Sequence, residues 1–206
     1  GDLSRYEAAC RMVEVCEAAF GAVHVLVNNV GGTIWKKPFW YYTEEEIRRE
    51  VERSFWPPLW CSRAVIPAMR KSGGAIVNVG SNATEGVYRI PYSASKGAVS
   101  ALTTALANEL IDLGIRVNCV EPGATDVSDR KVQRTLRPLS QQEMEWEKQF
   151  LTLIRQEGLI ERSAGVEEQA SVIAFLASDD ASHVTGEIIS TGRRGQGLRR
   201  VLGFIP

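Results

Sequence analysis

The chain has 206 residues, with 24 Lys and Arg against 25 Asp and Glu and a formal net charge of −1. That length suits one domain with a sizeable core, and the even charge excludes the basic footprint of a nucleic-acid or anionic-membrane binder. Two histidines and four scattered cysteines (10, 16, 61 and 119) with no Cys-x-x-Cys pair argue against a protein-built metal site and fit free thiols in a reducing cytoplasm.

Ser4 followed by Glu7 makes a capping box, and Tyr6, Cys10, Val13 and Phe20 recur at helical spacing up to Gly21, which predicts a first helix. Residues 23–27 form a short aliphatic run, expected as a strand buried on both faces and ended by Asn28-Asn29-Val30-Gly31-Gly32. A second helix opens at Thr43, capped against Glu46, and runs toward Met69 with a bend or break imposed by Pro57-Pro58. Gly73-Gly74 precedes a second strand at 75–79, which ends at Gly80-Ser81. A long helix from Tyr92 to Leu113 stops at Gly114, and a third strand at 115–120 ends at Glu121-Pro122-Gly123. Residues 124–162 are polar with weak periodicity and are expected to form a mobile substrate lid, not core. A helix at 166–177 and a short strand at 187–191 follow, ahead of an atypical tail at 193–206 that carries Arg193, Arg194, Arg199 and Arg200.

Strands alternating with helices predict a parallel sheet with helices on both faces. Ligands of such sheets sit beyond the carboxyl ends of the strands, which here carry Asn28-Asn29, Gly80-Ser81 and Pro122-Gly123. Tyr92 and Lys96 are four residues apart at the start of a helix, so their side chains share a face. A phenol is a poor base near neutral pH, but an adjacent ammonium and the positive end of a helix favour its phenolate. With the Ser81 hydroxyl at the preceding strand end, the pair can exchange a proton with an alcohol oxygen while hydride leaves the carbon. A Tyr-x-x-x-Lys pattern alone is common by chance. The small residues around it, Ser93, Ala94, Ser95, Gly97 and Ala98, allow close approach of a ligand and weight the reading toward chemistry.

Asn28-Asn29-Val30-Gly31, Ile76-Val77-Asn78-Val79-Gly80-Ser81, Tyr92-Ser93-Ala94-Ser95-Lys96, Arg116-Val117-Asn118 with Pro122-Gly123, and Phe175-Leu176-Ala177-Ser178 with Thr185-Gly186 together resemble the short-chain dehydrogenase/reductase family over nearly all of residues 2–190. The resemblance implies an α/β, Rossmann-like, doubly wound parallel sheet. It also implies a cytoplasmic homo-oligomer (dimer or tetramer), a small-molecule substrate, and NAD as cofactor with NADP as the alternative. Tyr92 is then the acid/base, Lys96 the group that tunes it and holds the nicotinamide ribose, and Ser81 the partner of the substrate oxygen. Further cofactor contacts fall at Asp2 (adenine), Asn29, Gly31, Pro122, Gly123 and Thr125. Neither a metal nor a nucleic-acid or membrane partner is implied, and no apolar run reaches the ~20 residues that cross a bilayer.

Asn28-Asn29-Val30-Gly31-Gly32-Thr33-Ile34-Trp35, Ser54-Phe55-Trp56-Pro57, the short serine-to-tyrosine loop with Arg89-Ile90-Pro91, and Pro122-Gly123-Ala124-Thr125 narrow the resemblance to cis-diol carboxylate dehydrogenases of benzoate and toluate breakdown. These oxidise a ring cis-diol bearing a carboxylate and yield a catechol. Such a substrate needs a cation, for which Arg89 is the first choice and Lys36 and Lys37 the alternatives. Trp35 and Phe39 suit the wall of an apolar ring pocket or, equally, core.

Three departures qualify the resemblance. The asparagine that completes the family's tetrad falls at Ser54, so its hydroxyl or a water would serve in proton relay. No glycine-rich phosphate turn follows a first strand. The expectation is therefore that an N-terminal βαβα portion, on the order of 60 residues, is missing from this chain and that the 23–27 strand is an exposed edge. The tail, third, lacks the family's closing glycine pair. The rival readings are a ketone or alcohol reductase of another substrate, and a truncated, inactive family member.

Overall fold

Helix α1 (Tyr6–Phe20) leads into strand β1 (Val25–Asn28), and three further strands, β2 (Gly74–Val79), β3 (Ile115–Glu121) and β4 (Ile188–Ser190), pair beside it in the order β1-β2-β3-β4, all parallel. The computed structural model describes residues 1–127, 137–157, 160 and 162–192, with backbone alone at 155–157. The tail at 193–206, with its four arginines, and residues 128–136, 158–159 and 161 of the expected lid lie outside the described residues. Parallel neighbours need crossovers, supplied by α2 (Glu44–Ser54) with α3 (Trp56–Met69), by α4 (Ile90–Leu110), and by α5 (Gln141–Glu157) with α6 (Val166–Ala177).

The alternation of side chains along a strand assigns each residue to a face. Leu26, Ile76, Ile115 and Val117 meet Ala9 and Val13 of α1, Cys61, Val65 and Met69 of α3, and Ala107 and Leu110 of α4 in the main core. Val77 and Val120 meet Leu176 of α6 on the opposite face in a smaller one. The sheet is therefore doubly wound, as expected. β1 is not buried on both faces, however. Val25 and Val27 are 43% and 41% exposed, because the face they share is covered among the described residues by α6, which centres on β2 and β3.

Two buried asparagines brace the main face. Asn28 Nδ2 donates to Asn78 Oδ1 at 2.8 Å and to Ser62 Oγ at 3.0 Å, and Asn78 Nδ2 donates to Thr103 Oγ1 at 2.9 Å. The network ties β1, β2, α3 and α4 together through groups that would be costly to bury unpaired.

Most element ends follow their local signals. Thr43 and Glu46 form the expected reciprocal cap of α2. The break before α3 falls at Phe55, which puts Pro57 and Pro58 in the first turn, where an amide hydrogen has no acceptor to lose. Gly21 and Gly114 end their helical segments in the left-handed conformation, with φ of 81° and 66°.

Three expectations need correction. Ser4 does not cap α1: its Oγ donates to Asp2 at 2.7 Å and the helix starts at Tyr6, so a local turn wins over the box. Phe20, read with Tyr6, Cys10 and Val13 as one apolar spacing, is 81% exposed and lies off the buried face. Part of the 124–162 segment, expected to be polar with weak periodicity, is a regular 17-residue helix, α5, and it buries Phe150.

Candidate active site

β2 delivers Ser81 at its carboxyl end in extended conformation, where the side chain accepts from Ala83 N at 3.1 Å and caps a short 3-10 turn, Asn82–Glu85. α4 then begins with Ile90-Pro91, and its first turns bury Tyr92 and Lys96 on one face. Lys96 Nζ donates to Val79 O at 2.6 Å, two residues before Ser81, and stands 5.9 Å from the centre of the Tyr92 ring. The phenol, the ammonium and the strand-end serine thus gather at the end of β2. Burial pushes the Lys96 ammonium down to about 8, with Cys119 opposing the shift weakly, and no carboxylate pairs with it among the described residues.

The turn after β1 closes on the same lysine. Gly31 has φ of 143°, a backbone conformation that favours glycine, and the position of its absent Cβ lies at ordinary contact distance, 3.5 Å, from both Lys96 Nζ and Ser54 Cα. Ser54, fully buried at the end of α2, accepts from Gly32 N at 3.4 Å. The neighbouring Pro122-Gly123 turn is locked by the end of β4. A Cβ on Gly123 would come within 2.8 Å of Gly192 Cα, and Asn82 joins both by donating from its N to Pro122 O at 3.2 Å and from Nδ2 to Gly192 O. Thr125 bridges to Ala164, and its Oγ1 donates to Gly123 O at 3.3 Å. Asn29 is exposed, with its N–H given to Val27 O. Asp2 is exposed beside α1, and its carboxylate accepts from Ser4 N and Oγ, hydrogen bonds that hold it below the usual aspartate range.

The Arg89 guanidinium lies between two rings, 5.7 Å from the centre of Tyr92 and 4.8 Å from that of Phe150, a buried residue of α5. Tyr88, just before it, holds φ of 62°, unusual for a residue with a side chain. Lys36 and Lys37 have carboxylate partners, Glu147 and Glu46 respectively, the second pair at 2.7 Å. Trp35 packs with Ile34, Tyr42 and Ile47 in a small buried cluster, while Phe39 is half exposed.

Asn82, Phe150 and Glu50 belong to none of the catalytic or binding motifs. Glu50 is a buried acid on an otherwise polar helix, and only tertiary contact marks it. Among the described residues no three His, Cys, Asp or Glu side chains gather as metal ligands, and no helix is long and apolar enough to cross a membrane.

A doubly wound parallel sheet with serine, tyrosine and lysine at its carboxyl end defines a dehydrogenase class. The family model described as "short chain dehydrogenase" matches residues 1–137, and the chain belongs to that family. Among its relatives, the 1,6-dihydroxycyclohexa-2,4-diene-1-carboxylate dehydrogenase of Acinetobacter baylyi is 48% identical over 95% of this chain and 76% of its own. The enzyme of the same name from Pseudomonas putida is 44% identical over 90% of this chain and 69% of its own. In fold, the chain matches NAD+-bound xylitol dehydrogenase with a TM-score of 0.78 at 24% identity, covering 93% of this chain and 76% of that one.

Proposed function

We propose that this dehydrogenase oxidises a ring cis-diol bearing a carboxylate, with NAD as hydride acceptor and loss of carbon dioxide to a catechol. The observation that carries the reading is the position of Arg89 beside the Tyr92 ring, one helical turn from Lys96. Two relatives above 40% identity named for this substrate support it.

The residues fit a nicotinamide ribose. Lys96 is a buried ammonium with three N–H groups and one carbonyl acceptor, Val79 O, which suits sugar hydroxyls, and Gly31 leaves its flank open. In this reading Tyr92, Lys96, Asn29, Gly31, Pro122, Gly123 and Thr125 hold the nicotinamide half and Asp2 the adenine. A bound NAD would supply the acceptor for the hydride of the secondary carbinol carbon. Tyr92 accepts the hydroxyl proton as the carbonyl forms, Lys96 stabilises the phenolate, and Ser81 donates a hydrogen bond to the same oxygen. Ser54 sits behind Lys96 as the positioning group where the family places asparagine. The new ketone is β to the carboxylate, so the C–CO2 bond breaks and its electron pair enters the ring. Protonation at oxygen completes the catechol.

Arg89, which lies beside the Tyr92 ring, anchors the carboxylate before it leaves. Trp35 backs the ring pocket, and α5 forms a lid that sets Phe150 over Arg89. The free thiols suit the cytoplasm, and the family resemblance suits a homo-oligomer.

The test is Tyr92→Phe in the full-length enzyme. Turnover of the cis-diol carboxylate is expected to fall by about 10²-fold or more with the fold retained by circular dichroism. Activity within a few-fold of wild type would remove Tyr92 from the chemistry. Arg89→Met is expected to raise KM for that substrate, and preference for a simple secondary alcohol by the wild type would assign a general alcohol oxidoreductase instead.

A further inference from the structure

We infer that Glu50, a residue outside the catalytic group, is the positioning residue that fixes the substrate-side loop and, through it, the seat of Arg89. The inference rests on the cis-diol carboxylate reading, which makes Arg89 the anion anchor.

Glu50 is fully buried on α2, although its helix neighbours Glu44 and Glu45 face solvent. A carboxylate so placed is costly unless strong donors meet it. Burial pushes Glu50 upward, and the N–H groups of Trp35 and Ile34 oppose that shift. Its Oε1 accepts from Ile34 N at 2.7 Å and Trp35 N at 2.9 Å, while the Thr33 hydroxyl, 3.4 Å away, has Trp35 O closer at 3.0 Å. The chain between β1 and the turn at Phe39–Tyr41 has no regular structure, so these amides have no ladder or helix to serve them. One oxygen therefore replaces the missing secondary structure of the loop.

The loop carries that constraint toward Arg89. Tyr42 OH donates to Trp35 O at 2.8 Å and lies 3.2 Å from Tyr88 O, which also accepts from Lys37 N at 2.7 Å. Lys37 N thus ties the loop to Tyr88, the residue held at positive φ immediately before Arg89. A left-handed tyrosine persists only when its surroundings over-determine it. Glu50 fixes Ile34 and Trp35, Tyr42 holds the Trp35 carbonyl, and Lys37, two residues further along the same loop, fixes the Tyr88 carbonyl that precedes Arg89. Toward the cofactor side the same helix uses Ser54 against Gly32, so Glu50 governs the substrate side.

The experiment compares Glu50→Gln, which keeps an acceptor oxygen, with Glu50→Ala in the full-length enzyme. Glu50→Asp, one methylene shorter, takes the place of Glu50→Ala if that variant does not fold. The expected result is a KM for the cis-diol carboxylate raised about tenfold or more in Glu50→Ala, as loss of charge-assisted bonds gives. KM for NAD stays within about twofold, and Glu50→Gln recovers most of the loss. Exchange of the Ile34 and Trp35 amide hydrogens is expected to quicken about tenfold in Glu50→Ala and to stay slow in Glu50→Gln. Unchanged exchange, or equal damage to the constants of NAD and diol, overturns the inference. If the wild type leaves the diol untouched, the substrate reading fails, and the exchange comparison still decides whether Glu50 holds the loop.

Discussion

Lys96 gives up the water around its ammonium for a single carbonyl, and the cost appears as a pKa of about 8 against about 10.4 for an exposed lysine. Between those values the unfolded chain holds a proton that the folded chain has released, so this group's contribution to stability is fully present above about pH 10.4 and is lost as pH falls through about 8. Two buried thiols act in the opposite sense. Cys61 and Cys119 are pushed up to about 11, so their contribution is lost as pH rises from about 8.5. Comparison with Lys96→Met isolates the lysine. From about pH 7.5 to 9.5 the wild type should gain about 2 kcal/mol relative to the variant, read from urea midpoints. A constant difference would show that the ammonium is solvated. The Tyr92–Lys96 pair was legible because a four-residue spacing on a helix admits one geometry. The Lys96–Val79 bond was not, since it joins residues 17 apart across two elements.

The segment Arg116-Val117-Asn118 reads as a strand, yet its polar side chains work on another element. Arg116 donates from Nη1 to Leu176 O at 2.9 Å and from Nη2 to Ser178 O at 2.9 Å, which places a cation at the carbonyl end of α6. Asn118 accepts from Glu187 N at 3.0 Å and donates to Val184 O at 2.8 Å, guiding the chain into β4. Arg116→Met should cost about 2 kcal/mol, or roughly 4–8 °C in thermal unfolding. Lysine should recover little of it, because one ammonium cannot reproduce the forked geometry. Thr43→Ala should cost about 1 kcal/mol through the lost cap of α2. The cap was evident in four consecutive letters, Thr43 to Glu46. The clamp was invisible, because its acceptors lie 60 or more residues away.

At the scale of the whole molecule, the described residues cover the two faces of the sheet unequally, and β1 registers the difference residue by residue. Leu26 lies in the main core, whereas Val25 and Val27 face the side where α6 leaves them partly open. In the 206-residue chain, Leu26→Ala should cost about 2–4 kcal/mol, and Val25→Thr or Val27→Thr under about 0.5 kcal/mol. Chemical denaturation of the three variants checks the contrast, and similar losses at Val25 and Leu26 would mean that both faces are covered.

Sequence by itself determined the alternation of strands and helices, their parallel pairing, the cap of α2, the break before α3 and the shared face of Tyr92 and Lys96, because all of these follow from local period, turn chemistry and short spacing. Tertiary structure alone decided which face of β1 is open, that α5 brings Phe150 over Arg89, that Lys36 and Lys37 are claimed by acids, and that Glu50 holds the loop below the site. The physical reason is common to all four. Each depends on a contact between different segments of the chain, and burial or partnership of that kind leaves no periodic trace in the residues that make it.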